Sequence, residues 1–449
     1  MSAIEAGVLV RILVLPAVLC CLGTRSARSA ETADAVIEAL DRARSAALKT
    51  EEYESAIDGP RLFADIAIAA MRVGNPDLAE RAWKDGLSLD RRGGGIAAAG
   101  LIDMAARAIE SRQYGLARRA FAAARELEPL GPPEEDERIQ RMVRAHDRWF
   151  ASGIAAMSDE QQDRLAAALD TIRRIEDAST RIGFLRRVGQ ERLLRDDVTG
   201  AISVADGLDV KRREQLLCDL VAVAVRRHEL GQADVIASKI SESEFSLVRA
   251  HAILGAAHHA RGEISEAHKR FRRAQRALDD IERDESVETI ERDTTLLEAI
   301  EILANELAAS ARVEDSLKNV SRIRRLQSFD GRLAADLVTF GVLQTCCARG
   351  DFGAAERLAT SIRPGPHRYE ALGWISNAKA ARRIRDGSGE ARFNVSDIID
   401  AGYSINGTVV AAMARAGRAD LGFHWTNQNE SAPQRCAMYL AIANALSEG

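Results

Sequence analysis

The stretch Gln113-Tyr114-Gly115-Leu116-Ala117-Arg118-Arg119-Ala120-Phe121-Ala122-Ala123-Ala124-Arg125-Glu126-Leu127-Glu128-Pro129 constrains the fold more than any other. Small Ala117 is followed four residues later by large Phe121, seven later by small Ala124 and twelve later by Pro129. Residues spaced by three, four and seven share a helix face. The run therefore predicts a helix whose alanines let a partner approach closely while the phenylalanine fills the neighbouring gap. The pattern returns down the 449-residue chain at intervals of roughly thirty to forty residues. Such a chain is expected to form an all-α array of helical hairpins, each burying its apolar face on the next.

Composition enters where it narrows that reading. Ala, Leu, Arg and Glu, all strong helix formers, dominate. Aromatic residues make up only 4%, too few for the usual sandwich or barrel core. The net charge is −5 with both signs interspersed, which argues against a dedicated nucleic-acid binder.

Residues 1–29 read as a signal peptide rather than as part of the fold. Arg11 is the only base ahead of the apolar run Ile12 to Gly23, which is shorter than the ~20 apolar residues a membrane span needs. Ala27-Arg28-Ser29 places small residues for cleavage after Ser29, and Cys20-Cys21 leaves a lipoprotein alternative open. No transmembrane segment is expected in the mature chain, and the destination is the periplasm or cell envelope. Cleavage would remove three arginines and one glutamate and leave Cys218, Cys346, Cys347 and Cys436. All four lie in alanine-rich helical patterns, where a free cysteine acts as a small apolar residue.

The first clear hairpin runs from Arg61 to about Asp90: Phe63, Ile66, Ala67 and Ala70 share one face, Gly74-Asn75-Pro76 breaks the helix, and Ala79, Trp83 and Gly86 repeat the small–large–small order. Arg91-Arg92-Gly93-Gly94-Gly95 lacks the Lys-Ser/Thr ending of a phosphate loop and reads as an inter-repeat loop. With Ala79/Trp83/Gly86, Ala117/Phe121/Ala124/Pro129, Leu254-Gly255 and Ala267/Phe271/Ala274, the chain resembles the tetratricopeptide repeat family, whose units are helix–turn–helix pairs. Gly350, Ala355, Ala359 and Ile362 repeat the theme, and weaker copies stand at Ala201/Ala205/Leu208, Ala233/Ala237/Ile240, Ser316/Val320/Ile323 and Ala391/Val395/Ile398. The resemblance implies a right-handed superhelix, a TPR-like α-solenoid. Helical repeats are expected over 31–130, a degenerate helical joint over 131–200, and further repeats over 201–449. The last helix, from about Ala437 to Leu446, is expected to cap an end that has no neighbour.

In that family the first helices line a groove that receives a peptide. Carried over by position, the groove residues are Arg61, Ala64, Ile68 and Arg72, then Ala99, Ile102, Ala106 and Glu110, then Arg249, Ala252, Ala256 and His259, and finally Phe340 and Gln344. The lysines and asparagines with which chaperone-tail-binding members clamp a terminal carboxylate are missing from these places. No Ser/His/Asp order, HExxH, CxxC or nucleotide fingerprint is present, so no cofactor and no catalytic residue is expected. His251, His258, His259 and His268 form the densest histidine group but read as packing and groove residues rather than metal ligands. Lys269, Arg270, Arg272, Arg273 and Arg276, followed by six acids between Asp279 and Glu288, read as a solvated helix face. The expected function is an exported, non-catalytic scaffold for a protein or peptide partner. The alternatives are an envelope polysaccharide-processing enzyme or a structural spacer.

Overall fold

A computed structural model describes residues 30–448 except 49–57, 89–99, 103, 106, 109–112, 127–132, 162, 177, 285, 327, 329, 388–394, 396–397, 400 and 430. The signal-peptide reading, the glycine run at 93–95, and Ala99, Ala106 and Glu110 of the expected groove lie outside these residues. The described residues are all-α, with no strand among them.

The chain divides into two compact units. The middle unit spans 149–375, and the end unit joins residues 1–148 to 376–449. The end unit holds α1 (Ala30–Leu48), α2 (Asp58–Arg72), α3 (Pro76–Ser88) and α4 (Tyr114–Arg125) from one end of the chain. From the other it takes α18 (Gly407–Arg415), α19 (Ala419–Gln428) and α20 (Ala432–Glu448). The middle unit contains α6 (Leu165–Arg173), α7 (Ala178–Leu194), α8 (Val198–Ser203), α9 (Val210–Arg226) and α10 (Leu230–Ala237). It continues through α11 (Glu244–Ala260), α12 (Ile264–Arg283), α13 (Thr289–Ala309), α14 (Val313–Ile323), α15 (Gly331–Arg349) and α16 (Phe352–Ser361). The divisions fall inside α5 (Pro133–Gln161) and α17 (Pro366–Arg385).

One backbone device makes the hairpins. The N–H of Asn75, Gln113, Arg164, Asp197, Glu229, Glu263, Arg312, Asp351 and Arg418 each donates to the carbonyl five residues earlier, at 2.7–3.0 Å. This is the Schellman closure, which satisfies the orphan carbonyls of the first helix and needs a left-handed residue before the donor. Gly74, Gly262, Gly350 and Gly417 supply it with φ of 75–82°. Asp163, Asp196, His228 and Ala311 do the same job at φ 58–63°, where a side chain costs ~1–2 kcal/mol. The stretch expected to be a degenerate joint therefore holds two turns of the same kind, between α5 and α6 and between α7 and α8. They were hidden because aspartate, not glycine, makes them.

A second device sets hairpin on hairpin. Arg195 donates to the Glu160 carbonyl at 3.2 Å, Arg227 to that of Leu193, Arg261 to that of His228, and Arg349 to that of Ala308 at 2.6 Å. Each arginine directly precedes a left-handed residue and reaches the C-terminal end of the preceding first helix, where a cation also meets the negative end of the helix dipole. Connections between hairpins are held by buried polar side chains. The Glu214 carboxylate accepts from the N–H groups of Ser241, Glu242 and Ser243 at 2.7–2.9 Å, and Asp293 accepts from Ser328 N and Oγ. In the end unit, Asn377 likewise bonds the Ser404 carbonyl and the Asn406 N–H.

The small–large logic is visible at two close approaches. A Cβ on Gly255 would meet the Phe271 ring at 2.9 Å, so α11 and α12 touch only because residue 255 has no side chain. A Cβ on Gly153 would overlap the Phe184 ring, the same fit between α5 and α7. Deletion of either ring would leave a cavity costing ~3–5 kcal/mol.

The last helix is not an uncovered cap. Cys436, Met438, Tyr439, Ile442, Ala443 and Ala445 of α20 are buried, and α20 packs along α1, whose Val36, Ala39, Leu40 and Ala43 are buried in turn. The Arg42 guanidinium also lies 4.7 Å from the centre of the Phe423 ring of α19. The expectation of an end without a neighbour assumed that only sequential hairpins touch. Here two apolar helix faces from opposite ends of the chain bury one another.

Candidate functional site

The first helices of the middle unit lie side by side in order: α7 packs on α9, α9 on α11, α11 on α13 and α13 on α15. Their second helices occupy the other side, so each first helix keeps a strip that faces neither its partner nor its neighbours. On α11 the strip includes Arg249, Ile253 and Ala256, spaced by four and three and all half-buried.

Polar rungs cross this face. The Asp219 carboxylate of α9 accepts from Arg186 of α7 at 2.8 Å and from Arg249 of α11 at 2.8 Å. One carboxylate thus holds two guanidinium groups on the two adjoining helices. Farther along, the Thr345 hydroxyl of α15 donates to Asn305 Oδ1 of α13 at 3.3 Å. Asn305 therefore marks the α15 side of α13. Glu301, one turn earlier, shares that side, and by helical spacing Ile302 and Glu306 lie toward α11.

Glu301 and Glu306 are half-buried and make no hydrogen bond or ion pair with the described residues. Burial alone pushes the Glu306 carboxyl from 4.5 up to about 7. Burial raises Glu301 too, with the negative charge of Glu298 adding to the shift. The face therefore has compensated charge at α7–α11 and two carboxyls without a counter-charge on α13.

The expected groove residues fall into three groups. Arg249, Ala256, His259, Gln344 and Ile102 are half-buried and reachable. Ala64, Ile68 and Ala252 are buried core residues, and Phe340, 5% exposed, meets the Trp374 ring edge-on at 6.1 Å. Arg61 and Arg72 lie in α2, in the other unit. Arg249, Ala256 and His259 stand together on α11, and Gln344 lies on α15 beside Thr345. Sequence reading missed Arg186, Asp219, Asn305 and Thr345. A signal existed for the first two: with Arg249 they alternate in charge at 33 and 30 residues, close to the repeat length. No such signal marks Glu301 or Glu306, which differ from exposed glutamates only by burial.

The histidines separate. His258 is buried and bonds Glu263 through Nδ1 at 2.5 Å, with Asp234 3.6 Å from Nε2. His251 is buried beside Arg270 and Arg273, and burial pulls its pKa from 6.5 to about 4, leaving it neutral at neutral pH. His259 is half-buried and His268 exposed. Among the described residues, no three His, Cys, Asp or Glu are grouped to hold a metal ion. Cys218, Cys346, Cys347 and Cys436 are free and buried; burial pushes the thiols of Cys218 and Cys436 up to about 12 and that of Cys346 to about 11. These three thiols stay protonated and behave as small apolar groups. No described helix is long and apolar enough to cross a membrane. Compared with the models of known protein families, with curated proteins and with solved structures, the chain matches none.

Proposed function

We propose that the chain is an exported interaction scaffold of the tetratricopeptide-like class, a right-handed superhelix of hairpins whose first-helix face in the middle unit receives a peptide segment of a partner protein. The carrying observation is the pair of half-buried carboxyls on that face, Glu301 and Glu306, without a counter-charge. A partner side chain that brings a cation to Glu306 restores its ionised form in a poorly solvated place, where an ion pair is stronger than on open surface. Ile253, Ala256 and Ile302 supply apolar contact beside it, and the Arg186–Asp219–Arg249 rung holds the helices in register. The partner segment is thus apolar with a lysine or arginine. Support for export is the apolar run Ile12 to Gly23, and the proposed destination is the periplasm or cell envelope.

The test is crosslinking in cells with affinity purification of the exported protein, beside the variants Ala256→Glu and Glu306→Gln. A partner recovered near one-to-one, lost with Ala256→Glu and reduced about tenfold with Glu306→Gln, supports the reading. Equal recovery from all three proteins would refute it and turn attention to glycan ligands or to a spacer role.

A further inference from the structure

We propose that the middle unit carries an electrostatic docking surface for an anionic lipid bilayer, made by the outward sides of the second helices α12 and α14. It does not rest on the peptide-binding reading, which uses the first helices on the other side.

The sequence sets five bases from Lys269 to Arg276 ahead of a run of acids, which suggests mutual neutralisation. The structure pairs the acids otherwise. Asp279 and Glu282 hold Arg322 of α14 at 3.0 and 2.5 Å, and Asp280 lies 3.4 Å from Arg283. Glu266 takes Lys269 and Arg270, both at 3.1 Å, and Asp315 takes Arg312 at 2.6 Å. Arg272, Arg273 and Arg276 of α12, Lys318 of α14 and Arg325 just beyond its end form no ion pair with any described carboxylate, and all five are exposed. Glu314 is the one exposed acid of α14. Arg272, Arg276 and Arg273 fall within an arc of about 100° on α12, opposite its buried Ala267, Phe271, Ala274 and Leu278. Lys318 and Arg325 border the same hollow as Arg272, so the cations of the two helices adjoin.

Exposed, flexible cations with no enclosing wall do not select a small molecule. They suit a ligand that is itself a plane of negative charge, to which each cation adds its own attraction. What surrounds them narrows the occupant further. Beyond Ile264 at its first position α12 exposes no large apolar side chain, α14 exposes none, and neither helix exposes an aromatic one. A nucleic-acid strand is held by stacking on aromatic side chains as well as by charge, and a protein partner by an apolar centre. Neither is offered here. A bilayer surface needs only the charges, and helices without an apolar wedge adsorb at the headgroups and do not insert. The whole chain carries −5, so this basic face is a local exception that orients the molecule on the lipid.

Cosedimentation of the full chain with vesicles tests the surface, using phosphatidylcholine alone and phosphatidylcholine mixed in equal parts with phosphatidylglycerol. Binding is expected to the anionic vesicles only, with release as salt rises. Arg276→Glu/Lys318→Glu should weaken it about tenfold or more. Arg226→Glu/Arg332→Glu changes the net charge equally on α9 and α15 and should bind as the wild type does. All four residues are exposed, so both double variants should keep the wild-type circular dichroism. If the first does not, Arg276→Gln/Lys318→Gln removes the charge without reversing it. No preference for anionic vesicles, equal weakening by the two double variants, or undiminished binding by a folded variant of Arg276 and Lys318 would each overturn the proposal. So would tighter binding of polyglutamate or of single-stranded DNA than of the anionic vesicles at equal salt, which would assign the face to an acidic protein or to nucleic acid.

Discussion

The two units are assembled by opposite routes. In the middle unit the main helix contacts are with helices next in sequence or one hairpin away, through arginine staples repeated at hairpin spacing. In the end unit, α1 and α20 pack face to face although almost the whole chain lies between them. The middle unit can gain each contact as a short loop closes. The end unit must hold together two segments whose closure entropy is compensated only when both apolar faces are covered. One sequence style, alanine-rich amphipathic helices, thus gives both a nearest-neighbour stack and a long-range closure.

The largest expected effect breaks the comparison. Ile442→Asp places a carboxylate in a fully buried position between α20 and its neighbours. It should cost more than about 4 kcal/mol, enough to unfold the end unit. Hydrogen exchange read by peptide mass should then show protection lost over 30–48 and 407–448 while peptides of 178–361 keep theirs. Loss of protection throughout would show that the two units do not fold separately.

A second effect, smaller and confined to the middle unit, concerns pH. The Glu306 carboxyl binds its proton more tightly folded, at about 7, than at its ordinary 4.5. Its contribution is therefore fully present below about pH 4.5 and is lost as pH rises through 7. The ceiling is ~3 kcal/mol, reduced by whatever water reaches the carboxyl. Glu306→Gln should remove this slope: wild type should lose urea resistance between pH 5 and 8 and the variant should lose less. Parallel curves for the two proteins would place the carboxyl in water.

The smallest effect sharpens the account of the turns. Ala311 sits at φ 58° in an exposed turn, so Ala311→Gly should stabilise the middle unit by about 0.5–1 kcal/mol, the relief of the left-handed cost less the entropy gained by the unfolded chain. A lower urea midpoint would mean that Ala311 contributes a contact that outweighs its backbone strain.

Much of the middle unit was legible. Gly262 and Gly350 announce their turns, and Ala267/Phe271/Ala274 announce a second helix whose ring meets Gly255. The turns of residues 140–200 were less legible because Asp163 and Asp196 take a conformation expected of glycine. Yet Arg195-Asp196, Arg227-His228, Arg261-Gly262 and Arg349-Gly350 repeat one pattern, an arginine before the left-handed residue, and its recurrence would have located the turn at 196. The candidate face was read in part. Arg249 and Ala256 stand on it, whereas Ala252 and Phe340 belong to packing: a shift of a few residues along a helix carries a side chain from the open strip into a neighbour.

By itself the sequence determined what depends on residues a few positions apart: helices from the spacing of small and large side chains, breaks from glycine and proline, and hairpins from their alternation. The tertiary structure alone decided which distant faces meet. The seating of α1 on α20 and the burial that lifts Glu306 both depend on surfaces brought together from separate helices. Burial of apolar area is not directional, so an amphipathic helix specifies that its face be covered and leaves its partner to the rest of the fold.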